Sequence, residues 1–240
     1  MRKQRGVSLV EIMVAITIGM LLMLGLGTVF VSVAQTSKLS QTMSAVQDSE
    51  RTAIAFLNNS IRSSGYLTTP LTTTSAAQFV ADSTFTTPGQ TILGTNTGTD
   101  NLYVRFVAAS GVTASQGCSS NLTSNALYTD KFYVATSGSN TYLTCDETVS
   151  GTTTTINLVP NLSSMSIVYG IDPNCTGSVT EYLPASSVPA TVWGSTCSPP
   201  AGAQLKTINF TLAFKNPLAG QPSQPTTVKI NQTIPYMIGL

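Results

Sequence analysis

Arg5-Gly6-Val7-Ser8-Leu9-Val10-Glu11 opens the stretch that decides this fold, and an apolar run follows it without a break to Ser32-Val33-Ala34. From Val7 to Ala34 the only charged residue is Glu11. A run of this length makes about 42 Å of helix, longer than the ~30 Å hydrocarbon core of a bilayer. Arg2, Lys3 and Arg5 precede it and place the N-terminus in the cytoplasm by the positive-inside rule. A carboxylate at the centre of a membrane helix costs about 2.5–3.5 kcal/mol on insertion scales, and a position near the interface softens that penalty. Glu11 therefore calls for a partner.

Three readings compete for this segment. A removable secretory signal has an apolar stretch of about 7–15 residues and an A-x-A-like cleavage site. Ser32-Val33-Ala34 offers a weak version of that site, but the run before it is too long and carries an acid. A plain membrane anchor explains the length and leaves Glu11 without a role. The third reading accounts for both. The segment from Arg5 to Glu11 resembles the prepilin cleavage motif of type IV pilins: a short basic leader, Gly at the scissile bond and Glu as the fifth residue after it. The resemblance implies that a membrane prepilin peptidase cuts between Gly6 and Val7 and methylates the new amine of Val7. It also implies that Glu11 serves assembly by pairing with the Val7 amine of a neighbouring subunit. Gly6 is then required for processing.

Downstream of Ala34, apolar residues recur at helical spacing through Leu39, Met43, Val46, Ala53 or Ile54, Leu57 and Ile61, with Glu50 the one interruption. No proline occurs before Pro70, and Gly65 reads as the stop. One nearly continuous helix is predicted from about Ser8 to Ser64, roughly 85 Å long. Gly19, Gly25 and Gly27 are either soft points or sites of close helix packing.

The remainder has the texture of short strands and turns. Residues 67–99 are Thr- and Ser-rich, contain Pro70, Pro88 and Gly89, and read as a long loop. Strands are predicted around Leu102–Val107, in a hairpin about residues 137–140, around Met165–Tyr169, over Lys206–Lys215, and from Val228 to Ile234. The clearest is Lys206–Lys215, in which Ile208, Phe210, Leu212 and Phe214 alternate with polar or small residues. One apolar face per strand implies an antiparallel sheet covered on one side, with the amphipathic helix as the cover. The fold class expected is α+β and pilin-like: a leader over 1–6, a transmembrane or filament-core helix over 7–34, its amphipathic continuation over 35–65, and a periplasmic β-rich domain over 66–240.

Composition narrows the function classes. Charged residues make up 9% of the chain, there is no histidine, and eight Lys/Arg face ten Asp/Glu once the three N-terminal basic residues are set aside. Clustered basic residues for nucleic acid are lacking, so no nucleic-acid partner is expected. Without histidine, Ser–His and Cys–His nucleophile pairs are impossible. No enzyme activity, cofactor or metal is expected. Cys118, Cys145, Cys175 and Cys197 allow three pairings. No C-x-x-C spacing points to zinc, and disulfides in an oxidising compartment are expected, with nearest neighbours paired. Free buried thiols are the alternative. Asp146-Glu147 and Asp172-Pro173-Asn174 read as solvated turns, and Trp193 as a core residue beside Cys197.

Later motifs narrow the resemblance. Asn58-Asn59-Ser60-Ile61-Arg62-Ser63-Ser64-Gly65-Tyr66, Asp100–Phe106, a Cys at 118, Tyr142-Leu143-Thr144-Cys145, and Leu162–Asp172 with its Tyr169-Gly170-Ile171-Asp172 run resemble, in order, PilW-type minor pilins. That resemblance implies a single-pass inner-membrane protein with its C-terminal domain in the periplasm, later carried to the pilus at the cell surface. Its implied partners are other minor and major pilins, the prepilin peptidase and the inner-membrane assembly platform, and its implied role is priming filament assembly. A J-type pseudopilin of type II secretion is the close rival. A tip adhesin or DNA-uptake subunit is a rival of another class.

Overall fold

A computed structural model describes residues 8–68, 74–96, 99–108, 117–119, 122–123, 125–138, 140–193 and 203–236. The chain falls into two compact units, Met1–Ala45 and Val46–Leu240. Among the described residues, the first is helix from Leu9 onward. Helix α1 runs from Leu9 to Ser63, and its first turn closes where the Ser8 carbonyl accepts the amides of Glu11 and Ile12.

In the second unit α1 contributes Val46, Ala53, Leu57 and Ile61 to a core shared with the strands. These positions lie three to four residues apart or multiples of that, so they form one stripe. The helix stops at Gly65, whose φ of +77° is a left-handed conformation that disfavours a side chain. The Gly65 amide donates to the Arg105 carbonyl, and the Val107 amide to the Tyr66 carbonyl, which stitches the helix end to the sheet.

Among the described residues, a short helix α2 (Ser75–Gln78) precedes nine strands: β1 (Ile92–Asn96), β2 (Asp100–Val107), β3 (Leu127–Ser137), β4 (Asn140–Val149), β5 (Thr152–Pro160), β6 (Leu162–Asp172), β7 (Glu181–Pro184), β8 (Gln204–Lys215) and β9 (Thr227–Pro235). They form two antiparallel sheets, one ordered β1-β2-β3-β4-β5 and the other β7-β6-β8-β9. The predicted hairpin is present, with Ser137 opposite Asn140. Ile208, Phe210, Leu212 and Phe214 are all buried, as their alternation requires. The chain passes from the first sheet to the second at Asn161, which takes a left-handed φ of 65°.

The expected single sheet is therefore two, and the loop expected over 67–99 contains α2 and β1. Asp100 joins the sheets: its Oδ2 accepts the Ile167 amide of β6 at 2.7 Å, and its Oδ1 accepts Asn96 Nδ2 at 2.6 Å. Tyr169 of β6 lies against Gly94 of β1, so closely that its ring occupies the space a β-carbon there would need. Trp193 is 5% exposed and packs edge-on to Tyr169, with centroids 4.8 Å apart.

Candidate functional site

Two regions carry chemistry beyond ordinary packing: the start of α1 and a polar cluster inside the β unit. Along α1 the side chains from Leu9 to Val33 are exposed on every face, and Phe30 is 75% exposed. The best window of 18 residues has a mean hydropathy of 2.4, sufficient in length and composition to cross a membrane. A helix apolar all round needs lipid or other helices as its solvent. Both threonine hydroxyls within the run are satisfied by the helix itself. Thr17 donates to the Val14 carbonyl and Thr28 to the Gly25 carbonyl, at 2.9 and 2.8 Å. Glu11 is different: it is a carboxylate in the first turn of α1, the one charged side chain of the apolar run. Among the described residues, it makes no side-chain hydrogen bond or ion pair. Gly6 and Val7, the expected processing site, lie outside the described residues.

The N-terminal segment is also where the chain resembles known proteins. Residues 1–27 match the family model described as a prokaryotic N-terminal methylation motif. The match supports a type IV pilin-like or pseudopilin protein. Together with the apolar helix it supports a single-pass, membrane-anchored subunit. No curated protein matches the chain.

In the β unit Cys118 and Cys145 are bonded, with Cα atoms 6.3 Å apart. Cys175 is also disulfide-bonded, while Cys197, its expected partner, lies outside the described residues. Beside the first disulfide sits a feature that sequence reading missed. Asp130 of β3 and Glu147 of β4 are directly opposite in register and both point into the unit. Asp130 is fully buried; Ser60 Oγ of α1 donates to its Oδ2 at 3.5 Å, and its Oδ1 has no hydrogen-bond partner among the described residues. The Ser119 amide donates to Glu147 Oε2 at 3.2 Å. Loss of water and the neighbouring Glu147 push the Asp130 carboxyl up to about 8, against weaker opposing help from Cys118 and Ser60. Burial also raises Glu147. Near neutral pH, Asp130 is therefore held largely in its protonated form.

The Asp146-Glu147 pair is thus not a solvated turn. Both residues lie in β4, where alternation sends Glu147 inward and Asp146 outward. Asp172 does end a strand at a turn. Burial pushes its carboxyl up, but the amides of Thr176, Gly177 and Asn174 outweigh that and hold it below the usual carboxylate range.

The second missed feature is Arg105. Its position on β2 faces away from the core, yet it is only 2% exposed. A loop over residues 79–90 folds across it, with the guanidinium 4.6 Å from the Phe85 ring centre and 5.7 Å from that of Phe79. Arg105 Nη2 donates to the Val80 carbonyl at 2.8 Å, while Nε and Nη1 make no hydrogen bond among the described residues. Asp82 lies 3.8 Å from Nη1. Burial lowers the Arg105 pKa, and Asp82 offsets part of that.

Proposed function

We propose that this chain is a minor pilin, a structural subunit that helps prime assembly of a type IV pilus and performs no catalysis. The observation that carries the proposal is a lone carboxylate, five residues beyond Gly6, on a helix that is apolar all round and continues into a disulfide-bonded β unit. Cleavage after Gly6 would leave an ammonium at Val7 inside an apolar phase. That cation and Glu11 are complementary, and pairing between staggered subunits leaves neither charge bare in fat. A low-dielectric pair need not add net stability, yet any register that separates its members is strongly penalised. The pairing therefore selects register during assembly.

In this reading the prepilin peptidase processes the chain at the inner membrane, with the N-terminus cytoplasmic and the β unit periplasmic. Other pilins and the assembly platform then receive it into a filament. The order of motifs from Asn58 to Asp172 favours the PilW-type branch. The seams they build support that choice: Gly65 stitches α1 to β2, Asp100 ties the sheets, and Tyr169 fills the space over Gly94.

Mass spectrometry of the native product should find a start at N-methylated Val7, and Gly6→Ala should keep the leader. Glu11→Ala should mature normally and fail to enter filaments. A deletion strain should lose surface pili. Loss of type II secretion with pili intact would replace this reading with the J-type pseudopilin.

A further inference from the structure

The outward face of the first sheet is organised in a way that filament assembly does not require. Tyr103 of β2, Lys131 of β3, Asp146 of β4 and Thr155 of β5 lie directly opposite one another in turn, forming a row across four strands. The Lys131 ammonium sits 4.5 Å from the Tyr133 ring centre and 5.8 Å from that of Tyr103. Asp146 Oδ1 accepts hydrogen bonds from the Tyr133 hydroxyl at 3.1 Å and the Thr155 hydroxyl at 2.6 Å. Its Oδ2 has no partner among the described residues. Beside this row runs a groove of about 340 Å³, floored by Tyr103, Lys131 and Asp146 with threonines on either side, and walled by Asp82, Ser83 and Thr84.

The wall is braced by the buried Arg105. Phe79 and Phe85 close over the guanidinium, while Asp82 Oδ1 accepts the amides of Thr84 and Phe85, both at 2.7 Å. Leaving two guanidinium nitrogens buried without hydrogen bonds is unfavourable by a few kcal/mol. The fold accepts that penalty at one place on this face, next to the groove.

From this geometry we infer that the groove is a binding site for a neutral glycan chain. A sugar ring presents an apolar C–H face and an edge of hydroxyls that both donate and accept. The groove offers the complement: the Tyr103 ring for the face, an ammonium donor, a carboxylate acceptor and threonine hydroxyls for the edge. Charge excludes the other polymers. One lysine flanked by Asp82 and Asp146 repels a polyanion on balance, so nucleic acid and acidic polysaccharide do not fit. A hydroxyl-lined floor gives an apolar peptide nothing to bury. The inference is independent of the pilin reading, since a glycan site on this face is compatible with any exported host protein.

The test uses the full chain in lipid nanodiscs, because sugar-headed detergents would compete. Maltohexaose, cellohexaose and chitohexaose are titrated by calorimetry, with polygalacturonate as the acidic counterpart. At least one neutral oligosaccharide should bind. Asp146→Asn, which alters a lining group, and Tyr133→Ala, which removes the support of Asp146 and Lys131, should each weaken it about tenfold or more. Asn231→Ala, on the outer face of the other sheet, should leave it unchanged. Lys131→Met keeps the aliphatic stem and serves as a second variant should Tyr133→Ala unfold; it should weaken binding too. Absence of binding by all three neutral probes, binding of polygalacturonate alone, or full affinity in both Asp146→Asn and Lys131→Met would each overturn the inference.

Discussion

Phe30 and Phe210 are the same side chain in two opposite situations: one is 75% exposed on the N-terminal helix, the other 1% exposed in the β unit. The contrast holds for the two units as wholes. Between Leu9 and Val33 nearly every large apolar residue is exposed, whereas in the β unit the large hydrophobics that remain exposed are scattered singly, as Tyr66, Val80 and Tyr182. The β unit is built for water and closes its own core. The helix leaves its apolar surface to be covered by lipid or by other helices. One chain therefore carries two stability problems with different solvents, and a substitution is felt in one unit without being felt in the other.

Four measurements would break or sharpen that contrast. The largest effect is expected at Phe210→Ala, which should destabilise the β unit by about 3–5 kcal/mol in thermal or denaturant melts. Phe30→Ala should leave the same melt unmoved and alter only partition into membranes or filaments; a matching loss of stability would erase the distinction. Next is the pair Cys118→Ala with Cys145→Ala, which opens a loop with a sequence separation of 27. It should lower stability by roughly 3 kcal/mol on the chain-entropy account, with the helix still inserting in the bilayer. Gly94→Ala should follow, at about 1–3 kcal/mol, because the new methyl meets the buried Tyr169 ring. A variant as stable as the parent would mean that β1 moves freely over β6.

The last effect has a defined pH signature. Asp130 binds its proton more tightly in the folded chain, about 8 against an ordinary value of 3.8. Its contribution is therefore fully present below the unfolded value and is lost as pH rises through about 8. Unfolding free energy should fall across that window. Asp130→Asn should flatten the fall and be more stable than the parent at the alkaline end. A parent whose stability rises over the same range would show that the pair is held ionised.

Legibility in the sequence followed the contrast between faces. Ile208 to Phe214 announces β8 because each apolar residue is followed by a polar or small one. β5 escaped notice because Thr152 to Thr155 places threonine on both faces, leaving no alternation to detect. The division into two sheets turns on the single left-handed residue Asn161, and an asparagine in that conformation has no signature apart from any turn. Glu147 was misread because adjacent acids look solvated, whereas strand geometry sends neighbours to opposite sides. Arg105 could not have been found at all from local pattern: its cover comes from Phe79 and Phe85, some twenty residues earlier. Of the N-terminal segment, the apolar run and Glu11 were both legible, since neither depends on distant contacts.

The inward-turned hydroxyls of Thr17 and Thr28 have a consequence for how such a helix finds its place among others. With both bonded to their own backbone, no polar group between Ile12 and Val31 discriminates one azimuth or depth from another. Glu11 is then the sole chemical address on that stretch, and moving it by one turn would re-index the helix without altering its hydrophobicity.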